Sequence, residues 1–298
     1  MPKARLGVAL LVPAPTCHEI DGLRRALGEP FVERVPPHLT LVPPVNVRHD
    51  ALGATMAVLR EAASLVGPVT VTLGPVIDFL PDNPTLFLRV GGEPAAIDAL
   101  HRLRDAVFRP PLERRLTWPF VPHVTVHDDH PPEAIAGAEA ALAGYRTTVT
   151  FGSVHLLEEQ RHGESHRRWV PVAEVRLGPP PVVGRGGLPL TLHVSGLVDP
   201  EAGDFLTRER AGTREALEGG QAPEAPSARA DDLDALPPGA RPVVVTGVRE
   251  GAVVGVARGW SGAGGAELTE LLVAADARGH GIGRHLAAAF DHEADGSG

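Results

Sequence analysis

Apolar positions along this chain recur at two spacings. Short runs rich in Val and Leu at Leu6–Val12, His38–Val42, Val69–Leu73, Leu86–Val90, Val121–Val126, Val149–Leu157 and Trp169–Leu177 read as strands. Between them apolar residues fall three and four apart, as in Leu52, Met56, Leu59 and Ala63 within His49–Val66, and Ile97, Leu100, Leu103 and Val107 within Pro94–Phe108. These read as helices, as do Cys17–Leu27, with Thr16 as its expected cap, and Pro132–Ala143. Further on, Leu190–Val194, Pro242–Val248, Ala252–Arg258 and Glu267–Val273 are strand-like, and Arg284–Glu293 is helical. Residues 179–187 are a linker by composition, and Glu218–Gly239 reads as a loop rich in Ala, Pro, Gly and acids.

A repeat lies inside the first region. Pro36–Val42 (Pro-Pro-His-Leu-Thr-Leu-Val) resembles Val121–His127 (Val-Pro-His-Val-Thr-Val-His), and each is followed by a helix and a Val/Thr-rich strand. Val69–Ile77 likewise matches Thr148–His155; the histidines are 85 residues apart and Gly74 and Gly152 are 78 apart. The expected class is α+β, with two pseudo-symmetric lobes that present equivalent strands to a shared cleft.

Composition narrows the function. Aromatic residues make up 4% of the 298 positions, so Leu, Val and Ala must supply most of the core. The net charge of -9 is uneven: residues 1–178 carry 18 basic and 20 acidic side chains, residues 179–298 carry 10 and 17. A nearly neutral first region argues against tight binding of long nucleic acid, while a nucleotide or an RNA end needs only local positive charge. Cys17 is the one cysteine, which excludes an internal disulfide. No apolar run has the length of a membrane span, so no membrane partner and a cytoplasmic location are expected.

The candidate chemistry sits in the repeat. On a strand, residues i and i+2 share a face, so His38 with Thr40, and His123 with Thr125, each aim an imidazole and a hydroxyl at one site. Leu39 and Val124 then point the other way. Two imidazoles, titrating near neutrality, suit acid and base roles around one phosphoryl group. Two hydroxyls can donate to its non-bridging oxygens, and no metal is called for. His127 and His130 read as part of a solvated, Asp-rich turn, and Trp118 and Phe120 as core.

These paired motifs resemble the two-histidine phosphoesterase superfamily, and most closely its 2'-5' RNA ligase/RNA 2',3'-cyclic phosphodiesterase members. The resemblance covers residues 1–178. It implies that His38 and His123 form the acid–base pair, with His38 as acid and His123 as base. It implies that Thr40 and Thr125 bind phosphate, that no cofactor is needed, and that a 2',3'-cyclic phosphate opens to a 2'-phosphate. Where a basic residue often follows the second motif in that family, this chain has His127, then Asp128 and Asp129.

A second resemblance lies in residues 188–298. Ala277–Gly283 (Ala-Arg-Gly-His-Gly-Ile-Gly) follows a strand and opens a helix, where bare backbone N–H groups can meet a pyrophosphate. It is similar to the coenzyme A loop of GNAT-type N-acetyltransferases and implies acetyl-CoA contacts at Arg278, Gly279, Gly281 and Gly283. In that family further strands follow the loop helix, so residues 188–298 are expected to form a partial α/β domain with an exposed strand edge. Glu267 or Glu270 would be a general base by position. A bifunctional protein, or a non-catalytic module that binds a nucleotide or RNA end, are the alternatives to a phosphodiesterase.

Overall fold

The computed structural model describes residues 2–116, 118–162, 166–184, 189–218 and 236–295. It divides into two compact units, Met1–Val172 with Leu177–Pro179, and Ala173–Arg176 with Pro180–Gly298. No described helix is long and apolar enough to cross a membrane.

The first unit runs β1 (Lys3–Leu11), α1 (Thr16–Ala26), β2 (His38–Arg48), α2 (Leu52–Ser64), β3 (Val69–Phe79), β4 (Asn83–Gly91) and α3 (Pro94–Val107). It continues with β5 (His123–His127), α4 (Pro132–Leu142), β6 (Thr147–Phe151), β7 (Ser153–His162) and β8 (His166–Arg176). The strands form one sheet in the order β6-β3-β4-β5-β2-β1-β7-β8. Two lobes meet at the seam between β2 and β5. Gly152 alone separates β6 from β7 in the chain, although they lie near opposite ends of the sheet, so the sheet curls back on itself.

The repeat appears as a pseudo-two-fold relation. Leu39 pairs with Val124 at the seam, and Val71 pairs with Val149, 78 residues away, the offset that relates Gly74 to Gly152. One row of residues crosses four strands, Leu10–Leu39–Val124–Leu88, and all four are fully buried. Burying each such side chain contributes about 1.5–3 kcal/mol. The helices cross over: α1, which follows β1, packs on β5, and α3, which follows β4, packs on β2. Each lobe's helix thus covers the other lobe's motif strand.

Several elements depart from the sequence reading. The β2 strand continues past Val42 to Arg48, because Pro43 and Pro44 fall where the register slips between Leu6/Val45 and Val8/Val42. A bulge tolerates residues that lack an N–H, so the prolines bend the strand without ending it. Thr16 is the first residue of α1, and its hydroxyl makes no cap bond. Trp118 is 64% exposed, not core, whereas Phe120 packs edge-on to His101 at 5.3 Å.

The second unit is a five-stranded antiparallel sheet in the order β13-β12-β11-β10-β9: β9 (Val182–Val183), β10 (Leu190–Ser195), β11 (Arg241–Arg249), β12 (Ala252–Gly262) and β13 (Gly265–Val273). Within the stretch read as a linker, Val182 and Val183 pair with Thr191 and Leu190. Alternate residues feed two cores. Val243, Val245 and Ala257 pack with Ile282, Leu286 and Phe290 of α6 (Ile282–Asp295), while Val244 and Val256 pack with Ala202, Phe205 and Leu206 of α5 (Pro200–Glu218). A Cβ at Gly255 would lie 2.7 Å from Leu286, so the glycine admits α6. The α5 helix is absent from the sequence reading: among its described side chains Ala202, Phe205 and Leu206 form the buried apolar face, and Asp199 caps it by accepting the Ala202 N–H. Most of the expected loop, residues 219–235, lies outside the described residues. On its outer side β13 has no strand partner among the described residues.

Candidate active site

The Leu39–Val124 pairing determines what surrounds the cleft. Counting outward in the antiparallel ladder, His38 stands opposite Thr125 and Thr40 opposite His123, all on the face away from Leu39 and Val124. The four predicted residues form a two-by-two grid, each histidine facing the other motif's threonine. Neighbouring strands extend both rows. Leu11 joins His38 and Phe87 joins Thr125; Ala9 joins Thr40 and Arg89 joins His123.

Each imidazole is oriented in the same way. His38 Nδ1 lies 2.8 Å from the Pro36 carbonyl, and His123 Nδ1 lies 2.7 Å from the Val121 carbonyl. A carbonyl can only accept, so Nδ1 carries hydrogen in both rings and the lone pair of the neutral form is left on Nε2. Phe79 and Phe87 stack at 3.9 Å and set their rings edge-on to His123 at 5.0 and 5.3 Å.

Electrostatics push both imidazoles towards the neutral form. His38 is lowered to about 4, chiefly because its surroundings exclude water, with Arg24 and His123 as nearby positive neighbours and the Pro36 hydrogen bond opposing them. Exclusion of water also lowers His123, against its bond to Val121. Arg24 is itself buried; its Nη1 donates to Asp21 and to the Val35 carbonyl, while its buried Nε has no partner.

A cleft of about 490 Å³ opens beside His38, Thr40 and Thr125. Its apolar wall includes Ala9, Leu157 and Trp169, which pack together with Leu11 and Val35. A Cβ at Gly7 would stand 3.6 Å from Trp169, so glycine lets that ring lie close to β1. At one end stand Glu29, Phe31, His127, Asp128 and Asp129. His127 is buried, not solvated; its Nδ1 donates to the Asp128 carbonyl at 2.9 Å, and its ring meets buried His130 edge-on at 4.5 Å. Among the described residues, no group of three or more His, Cys, Asp or Glu side chains could hold a metal ion.

In the second unit, Arg278, Gly279, Gly281 and Gly283 line one pocket of about 380 Å³ with Val273, Ala277, Ile282 and Arg284. Gly279 and Gly281 both have φ of 80°, a conformation that favours glycine. The first N–H groups of α6 open there without intrahelical partners. Arg278 Nε donates to the Val273 carbonyl at 3.0 Å. Glu270 is not placed as a base: Arg210 and Arg258 both bond its carboxylate and hold it below the usual carboxylate range.

Comparison with known proteins agrees with this division. Residues 12–163 match the family model of the 2'-5' RNA ligase superfamily, and residues 211–298 match that of the acetyltransferase (GNAT) family. The chain belongs to the 2'-5' RNA ligase superfamily. A Bacillus licheniformis protein named "Putative phosphoesterase" is 31% identical over 158 residues, 52% of this chain and 90% of that one. A Bacillus pumilus protein of the same name is 27% identical, over 52% of this chain and 89% of its own length. A crystal structure of E. coli LigT complexed with 3'-AMP aligns over 59% of this chain and 99% of that chain, with 20% identity and a TM-score of 0.44.

Within this superfamily member, sequence reasoning missed Arg24, Glu29, Phe31 and Arg89. Arg24 and Glu29 enter the site through the crossing of α1 onto β5, which no local pattern shows. Arg89 left a weak signal, since it alternates with Phe87 on β4. The repeat offset of 78 relates Arg89 to Leu11 and Phe87 to Ala9, so the two lobes offer different side chains at equivalent places.

Proposed function

We propose that residues 1–178 form a metal-independent phosphodiesterase that opens a 2',3'-cyclic phosphate, on a nucleotide or an RNA end, to a 2'-phosphate. The observation that carries this reading is the grid of His38, Thr125, Thr40 and His123 around the Leu39–Val124 seam. Thr40 and Thr125 donate to the non-bridging oxygens, and Arg89, on the same face beside His123, adds positive charge. Water attacks phosphorus and gives its proton to one Nε2. The bond from phosphorus to O3' breaks, and the other imidazole protonates O3'. One ring must enter the reaction neutral to accept the proton from water and the other protonated to donate; following the resemblance, His38 is assigned as the acid and His123 as the base. The proposed domains are 1–178 and 188–298, with Val182–Val183 of the 179–187 stretch joined to the second sheet.

The experiment is a panel of 2',3'-cyclic nucleotides and cyclic-ended oligonucleotides, with and without chelator. The expected product is the 2'-phosphate in both conditions. A 3'-phosphate would reverse the bond assignment, and absence of turnover on the whole panel would leave the non-catalytic binding module as the better reading.

A second reading concerns residues 188–298. The pocket at Arg278–Gly283 supports binding of coenzyme A or acetyl-CoA through its pyrophosphate, at the N-terminus of α6. Since Glu270 is engaged by two guanidinium groups, acetyl transfer by this unit is expected to be poor.

A further inference from the structure

We propose that Phe31 is the platform on which the planar base of a nucleoside phosphate lies when its phosphoryl group occupies the His/Thr grid, and that buried Glu29 is the residue that positions it. This rests on the phosphodiesterase reading and adds a base-recognition element to it. A single exposed apolar ring on a protein surface ordinarily needs no explanation. Phe31 differs in three respects. It is 55% exposed yet lines the same cleft as His38, Thr40 and Thr125. Its segment is pinned at both ends: the Glu29 N–H donates to the Arg24 carbonyl at 2.9 Å, and the Arg34 N–H donates to the Phe31 carbonyl at 2.9 Å.

The third respect is the tether itself. Glu29 Oε1 accepts the Phe31 N–H at 3.0 Å and Oε2 accepts the Asp128 N–H at 2.9 Å, with only 6% of the Glu29 side chain exposed. One carboxylate thus fastens the segment after α1 to the residue that follows β5, the strand that carries His123 and Thr125. The backbone of Phe31 is registered to the motif strand and not left on a free loop. A ring whose backbone is fixed in advance has only its side-chain rotation to lose when a ligand stacks on it. Trp118, the other exposed aromatic side chain among the described residues, does not line this cleft.

The ligand chemistry follows from the surroundings. Arg24 and Arg34 line this cleft along with Glu29, Asp128 and Asp129, so its charges are mixed, and what marks the Phe31 position is an exposed apolar ring suited to a planar group. Every nucleobase has a π-face, so stacking should tolerate purines and pyrimidines alike.

The test is equilibrium binding by calorimetry, so it does not depend on turnover. Adenosine 2'-monophosphate is compared with glycerol 2-phosphate, which has the phosphate but no base. The wild-type chain should bind the nucleotide more tightly, and Phe31→Ala should weaken the nucleotide about 5- to 150-fold while leaving glycerol 2-phosphate unchanged. Phe31→Trp should retain the nucleotide preference. Glu29→Gln, which loses one of two acceptor oxygens, should reduce that preference and spare glycerol 2-phosphate. Equal weakening of both ligands, or no change in either, would overturn the proposal. Absence of binding by the wild type to either compound would overturn the phosphate-site reading beneath it.

Discussion

Leu39 and Val124 face one another across the seam of the two lobes, both fully buried, and from that one pairing the positions of all four motif side chains follow. The apolar pair points away from the face that carries the histidines and threonines. It keeps β2 and β5 in the register that sets His38 against Thr125 and Thr40 against His123. A slip of one residue would turn the histidines into the core.

Truncating this pair should therefore be costly. Leu39→Ala should destabilise the fold by about 2–5 kcal/mol, the range for emptying a buried leucine site. Denaturant titration measures the loss. An unchanged midpoint would show that the seam is not a packed core.

The two lowered imidazoles predict an acidic pH optimum. Catalysis needs one neutral and one protonated ring. In the free enzyme the lower value is about 4 and the other also lies below 6.5, and both belong to the coupled pair. Plotted as kcat/KM, the rate should rise through the lower value and fall before pH 6.5. Stability has a related sign. His38 binds protons more weakly folded than unfolded, so its contribution is intact above 6.5 and is lost as pH falls towards 4. His38→Ala should flatten that part of the stability curve, and an unchanged slope there would contradict the assigned burial.

The acid and base can be told apart with an activated leaving group. A p-nitrophenyl phosphodiester leaves without a proton, so loss of the acid should matter little and loss of the base should matter fully. With His38 as the acid, His38→Ala should retain most of its activity on that substrate and His123→Ala should not. The opposite pattern would exchange the two roles.

Arg89 provides a separate check on the cleft. Arg89→Gln should weaken inhibition by inorganic phosphate about 10-fold, with partial recovery in Arg89→Lys, since a charge-assisted bond to phosphate is worth roughly 1.5–3 kcal/mol. Equal inhibition in all three proteins would place Arg89 outside the phosphate site.

The strands and helices of the first unit were legible because their apolar periods are regular, and the His-x-Thr pairs because a strand's period of two makes their geometry readable without a fold. The repeat announced two lobes. What the chain did not reveal were features set by tertiary placement. Pro43 and Pro44 signalled the end of β2, yet the bulge opposite Gly7 absorbs them. The α5 helix has a short apolar face and a polar remainder, too little period to recognise. Glu29 and Asp128 are 99 residues apart, and only the crossing of α1 onto β5 brings them together.

The central claim is that two histidines share the chemistry, and single-site variants measure it most directly. Turnover of a 2',3'-cyclic nucleotide should fall about 10²–10⁴-fold in His38→Ala and in His123→Ala, the scale for losing a general base or acid. The double variant should be little worse than either, because the two act as a unit. Near-wild-type turnover in either single variant would contradict the account.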